Sequence, residues 1–203
     1  RVGSSIGRNY GPTVVALKEA PNAQIAGSRI AIPGEFTTAF LLLRLYSEGF
    51  EPIPMAFDEI VSAIHRKDVD AGLLIHEGQV TYEELGLQLI LDLGKAWGHD
   101  TGLPIPLGLD MVRRDLGDEF QELMAASLKE SILFAFEHED EALDYAIQFS
   151  RGIERETCRK FIRMYVNEDT LDMGDTGKTA LETLFAKAKD KGIIESMPPI
   201  DLI

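Results

Sequence analysis

Between residues 29 and 92, short apolar runs alternate with helical stretches, and this rhythm constrains the fold more than any other feature of the chain. Residues 29–32 (RIAI) read as a strand stopped by Pro33-Gly34. Thr37-Thr38 then cap a helix, AFLLLRLYSEGF, that ends near Gly49. That helix is apolar on nearly every side apart from Arg44, as expected of one buried between other elements. Residues 52–56 (PIPMA) form a second short strand, followed by the helix DEIVSAIHRK. Residues 69–75 (VDAGLLI) are the apolar run of a fully buried parallel strand, ended by His76-Glu77. A short helix near 81–85 and a strand at 87–92 (LQLILD) complete the series. Strand–helix–strand repetition of this kind builds a parallel, three-layer α/β lobe.

Beyond this core the character changes. Residues 102–108 (GLPIPLG) carry two prolines and suit an edge strand or an extended crossover, not a helix. The pattern is helical at 118–137, 140–149, 154–166 and 176–191. Phe120, Leu123, Met124, Ser127, Leu128 and Ile132 fall on one helical face, which needs a sheet that this part of the sequence does not supply. The expected architecture is an α/β lobe at 27–106 flanked by 1–26 and 107–203, which form the other lobe. Crossovers near 25–32 and 103–112 make a two-strand hinge. Folds of this kind hold a ligand between lobes, at the carboxyl ends of parallel strands.

The charge balance narrows the partners. With 34 acidic against 20 basic residues, the formal net charge is −14. Such a surface repels a phosphate backbone, so nucleic acid is not expected as a partner. A small anion would need a locally positive site. The longest apolar runs are too short to span a bilayer, so no membrane partner is expected either. The single Cys158 excludes an intrachain disulfide and fits a reducing, cytoplasmic setting. His65, His76, His99 and His138 are scattered, no Cys/His pair has metal-site spacing, and no cofactor is expected. The chain opens on Arg-Val-Gly-Ser-Ser, which reads as the middle of a domain, so further residues are expected ahead of Arg1.

Three places could carry chemistry. His76 follows a buried strand, where a parallel sheet delivers side chains into its crevice. An imidazole there can take a proton near neutral pH, or can simply cap the strand by bonding a neighbouring carbonyl. Adjacent side chains of an extended strand face opposite ways, so Glu77 is not expected to orient His76 directly. The turn Pro33-Gly34-Glu35-Phe36-Thr37-Thr38 leads into a helix start, where backbone N–H groups and the helix dipole favour an anion. An ordinary N-cap is the other reading. Gly3-Ser4-Ser5-Ile6-Gly7 is a small polar turn suited either to close approach by a ligand or to solvent.

The strings GSSIGRNYGP (3–12), IAIPGEFTTAFLLLRLY (30–46), DAGLLIHEGQVTY (70–82), TGLPIPLG (101–108) and MYVNEDTLDMGDTG (164–177) occur together and in order. In this the chain resembles the 1,4-dihydroxy-6-naphthoate synthases of the futalosine route to menaquinone. The resemblance implies a two-lobed type II periplasmic-binding-protein-like fold used as a lyase. It implies cyclic dehypoxanthinyl futalosine as the anionic small-molecule substrate, split to 1,4-dihydroxy-6-naphthoate and a sugar-derived fragment. The family's proton-abstracting His falls on His76. Its substrate contacts fall on Thr38 and Ala39, with Thr37 adjacent, and on the turn that carries Ser4 and Ser5. Members of the family begin with a further βαβ region that has no counterpart here, so the first lobe is expected to be incomplete and to expose part of its sheet. Two alternatives remain: a non-catalytic solute-binding protein of the same fold, and the related chorismate dehydratase of the same route.

Overall fold

The computed structural model describes all residues except Asn9, Pro21, Glu77, Ser150, Arg151 and Ile153. Among the described residues the strands are β1 (Ser4–Gly7), β2 (Thr13–Leu17), β3 (Arg29–Ile32), β4 (Glu51–Pro54), β5 (Ala71–Leu74), β6 (Leu87–Asp92) and β7 (Ile105–Leu109). The helices are α1 (Thr38–Tyr46), α2 (Ile60–His65), α3 (Gly78–Thr81), α4 (Leu93–Thr101), α5 (Asp118–Glu137), α6 (Glu139–Ala146), α7 (Arg155–Tyr165), α8 (Glu168–Leu171) and α9 (Gly174–Asp190). None of them is long and apolar enough to cross a membrane.

Two compact units result. One comprises Arg1–Gly7, Pro106–Leu181 and Pro199–Ile203; the other comprises Arg8–Ile105 and Glu182–Pro198. The sequence pattern groups 1–26 with the C-terminal helices, whereas in the structure residues 8–26 belong to the larger unit. The difference has a physical cause: the apolar run TVVAL is β2, and it is hydrogen-bonded between β5 and β6.

The larger unit is built on a sheet of order β4-β3-β5-β2-β6. Strands β3, β4 and β5 are parallel, with Ile32 opposite Pro54 and Ala31 opposite Gly72. β2 runs antiparallel to both β5 and β6, so the sheet is mixed where an all-parallel one was expected. β4 carries Pro52 and Pro54, which cannot donate to a ladder, and it takes the edge position where only β3 pairs with it. Alternation along the strands makes two packed faces. On one face Val15, Ala31 and Leu74 meet Ile60, Ala63 and Ile64 of α2. On the other, α4 packs on β2 and β6, and α1 packs on α4. Trp97, the chain's one tryptophan, is wholly buried there, and its indole N–H donates to the Pro104 carbonyl at 3.0 Å.

The C-terminal half of α9 is fastened to this unit by charge. Lys187 pairs with Asp100 at 2.8 Å, and the Tyr46 hydroxyl donates to the same carboxylate at 2.8 Å. Lys191 donates to the Leu45 carbonyl at 2.9 Å and pairs with Glu48 at 3.0 Å. Burial, and then the bond to Asp100, push the Tyr46 phenol well above its ordinary pKa. Lys187 and Tyr46 hold Asp100 below the ordinary carboxylate range.

The smaller unit has a two-stranded sheet, β1 with β7, surrounded by α5 to α8 and the first turns of α9. Glu139 and Asp140, in the acidic run EHEDE, are held by guanidinium groups of α7. Arg163 and Arg159 reach Glu139 at 2.6 and 2.8 Å, and Arg159 reaches Asp140 at 3.0 Å. The predicted apolar face of α5 is covered only in part. Ile132 is buried, whereas Phe120, Leu123 and Met124 are exposed, because α5 packs on α6, α8 and the 3₁₀ turn Arg114–Leu116 rather than on a broad sheet.

Candidate active site

The parallel strands β3, β4 and β5 end at one edge of the sheet. Their register makes this an alignment: Ile32 lies opposite Pro54, and the Met55 N–H donates to the Ile32 carbonyl at 3.1 Å. Three segments leave from this edge: 33–37 toward α1, 55–57 toward α2, and 75–76 toward α3. Carboxyl edges of parallel strands are where open α/β sheets place their ligands.

The start of α1 is capped by Thr37, whose hydroxyl accepts from the Phe40 N–H at 3.2 Å and donates to the Gly34 carbonyl at 2.9 Å. That hydroxyl is therefore used locally, and the ordinary N-cap reading describes the Thr37 side chain. Ala39 is buried with its methyl in the core, so its backbone amide is the group it can offer a ligand. No acidic side chain stands in the first turn of α1, so the positive end of the helix dipole is not neutralised locally. By contrast α4 is capped by the Asp92 carboxylate, which accepts from the Lys95 N–H at 2.9 Å. Thr38 opens α1 and is partly exposed. Phe36, one residue before the cap, is fully exposed.

His76 adopts φ = +56°, left-handed backbone that side chains other than glycine rarely take. Its carbonyl accepts from the Gln79 N–H at 3.2 Å, which ties the turn to α3. The imidazole lies against the Phe57 ring, with ring centroids 4.7 Å apart and planes tilted by 55°. Glu77 lies outside the described residues. Thr13 stands opposite Leu74 at the same edge, 5% exposed, with no hydrogen-bond partner for its hydroxyl among the described residues.

The structure thus brings Thr37, Thr38, Ala39 and His76 to one sheet edge. Ser4 and Ser5 belong to the other unit, on β1. Successive strand residues face opposite ways, and the two serines differ accordingly. The Ser4 hydroxyl donates to the Asp169 carbonyl at 2.5 Å, which binds β1 to α8. The Ser5 hydroxyl is buried with no partner among the described residues. Sequence reading missed Phe57 and Thr13. An aromatic residue directly after a strand end is the signal for the first; a threonine opening an apolar strand carried no signal for the second. Among the described residues, no group of three His, Cys, Asp or Glu side chains is placed to hold a metal ion.

A family model described as menaquinone biosynthesis matches residues 1–190. The chain belongs to that family. It is 39% identical over 198 residues to a Thermus thermophilus protein named 1,4-dihydroxy-6-naphtoate synthase, a match covering 98% of this chain and 72% of the relative. Among solved structures it is similar to protein AF1704 of Archaeoglobus fulgidus, with 48% identity and a TM-score of 0.89 over 95% of this chain and 72% of that one. The periplasmic aliphatic sulphonate binding protein SsuA of Escherichia coli shares the fold at 11% identity, with a TM-score of 0.56 over 97% of this chain and 66% of that one. The menaquinone-family chain is therefore an α/β protein of periplasmic-binding-protein-like fold.

Proposed function

We propose that this chain is a carbon–carbon lyase of menaquinone biosynthesis that converts cyclic dehypoxanthinyl futalosine to 1,4-dihydroxy-6-naphthoate in the cytoplasm. Family membership and the relative named for this activity support the reaction class. The observation that carries the mechanism is His76, held left-handed at the carboxyl edge of the sheet beside the unneutralised start of α1. A non-glycine residue kept in such a conformation is a feature of sites where function sets the geometry.

In this reading the amides at the start of α1, with the Thr38 hydroxyl, hold an anionic or hydroxyl group of the substrate. His76 takes a proton from substrate carbon and becomes imidazolium. The electron shift that follows breaks a carbon–carbon bond, and the imidazolium returns its proton to the carbon that keeps the electron pair, which releases the naphthoate and the sugar-derived fragment and restores the base. Ser4 supports β1 through its bond to the Asp169 carbonyl.

The test is His76→Asn, which keeps the side chain's size and polarity and removes the base. General bases contribute roughly 10²- to 10⁴-fold, so turnover is expected to fall by about that factor, with the substrate Kd changed less than about threefold. Turnover close to the parent's sinks the assignment. The fold shared with SsuA favours one other reading, binding without chemistry. In that case the parent protein binds the cyclic substrate and forms no naphthoate chromophore.

A further inference from the structure

We propose that Phe57 is a positioning residue for His76, holding the imidazole in the orientation from which it takes the proton. The inference rests on the reading of His76 as the base and adds a residue to it. Phe57 follows β4, His76 follows β5, and the two strands are held on either side of β3. Residues 19 apart in sequence are thereby brought to a ring–ring distance of 4.7 Å.

Two constraints act on His76 together. The left-handed backbone, tied by the Gln79 N–H, sets the direction in which the side chain leaves the chain. The Phe57 ring, lying across the imidazole, then limits rotation about the side-chain bonds. A general base works only within hydrogen-bond reach of the carbon-bound proton, and misplacement by about 1 Å costs roughly 100-fold.

Phe57 is poorly explained as a core residue. It is 36% exposed, and it precedes the buried stripe of α2, which is Ile60, Ala63 and Ile64. An aromatic residue kept at a rim and packed on a histidine is better placed to shape a site than to fill a core.

The experiment compares Phe57→Leu, Phe57→Tyr and His76→Asn in the whole protein. For Phe57→Leu, kcat is expected to fall by about 10- to 100-fold, with KM within about threefold and melting temperature close to the parent's. Phe57→Tyr keeps the ring and is expected to retain kcat within about threefold. The imidazole proton resonances of His76, assigned by their loss in His76→Asn, are expected to shift in Phe57→Leu as the ring current is lost. Parent-like kcat in Phe57→Leu overturns the proposal, as does a loss of equal size in Phe57→Tyr. A folded His76→Asn with normal turnover overturns instead the reading of His76 as the base. Unmoved imidazole resonances in Phe57→Leu overturn the contact itself.

Discussion

Gly72 lies in β5, where α2 packs against the sheet. A methyl group added there overlaps the Ile60 Cγ2 atom and stands 2.7 Å from the Ile64 Cδ1 atom, and the glycine has no unusual φ to confuse the comparison. Both isoleucines are almost wholly buried, so neither can swing into solvent. Overpacking of this kind costs about 1–3 kcal/mol. The alanine returns about 0.4–1 kcal/mol by stiffening the unfolded chain. Gly72→Ala is therefore expected to destabilise the larger unit by about 1–2 kcal/mol. Trp97 is a private reporter of this unit, being the chain's one tryptophan and buried within it. Its fluorescence in a urea titration is expected to show a midpoint lower by about 1 M, for a slope of about 1–3 kcal/mol per M. Ile60→Leu moves the offending branch away from Cβ, and Ile64→Val deletes the Cδ1 methyl. Either change, combined with Gly72→Ala, is expected to cost less than the sum of the single changes. A Gly72→Ala midpoint at or above the parent's, or strict additivity in both pairs, refutes the packing argument.

Thr13→Val replaces a buried hydroxyl that has no partner among the described residues with an apolar group of the same shape, and a gain of about 1 kcal/mol is expected. A lower urea midpoint by Trp97 fluorescence contradicts it. Tyr46 and Asp100 predict opposite limbs of a stability–pH curve. Tyr46 titrates higher in the folded state, so its contribution is complete below the ordinary phenol value of 10.0 and is lost as pH rises beyond it. Asp100 titrates lower in the folded state, so its contribution is present above the ordinary carboxylate value of 3.8 and is lost as pH falls through the folded value. Tyr46→Phe is expected to flatten the alkaline limb and to remove a late phenolate step from the ultraviolet titration. An unchanged titration refutes the raised value.

Much of the larger unit was legible because its elements are local. The apolar runs at β3, β5 and β6, the prolines that confine β4 to an edge, and Thr37 as the α1 cap all follow from residue type and spacing. The placement of β2 did not follow. TVVAL fits strand or helix, and only its pairing with β5 and β6 decides both its form and its unit. The short helix expected near 81–85 lies earlier for a related reason: α3 begins at Gly78, shortly after the left-handed turn at His76, and a dihedral angle is not written in a residue's name. His76 itself was legible as a histidine ending a buried run. Its contact with Phe57 was not, because that pair depends on two strands being threaded on either side of a third. The α5 face was read correctly as a helical stripe, yet periodicity cannot say whether anything covers it.

Helix α9 has a consequence for how the protein is made. Its first turns belong to one unit and its last to the other, and the bond from Lys191 to Leu45 spans 146 residues of chain. The other unit shows the same habit, with Ser4 bonded to Asp169 across 165 residues. During synthesis, the sheet of the larger unit is complete once β6 has left the ribosome. The residues that fasten its outer layer arrive about ninety positions later, from Glu182 onward. Neither unit can close before these late segments have been made, so the assembly of each waits on residues far along the chain from its first strands.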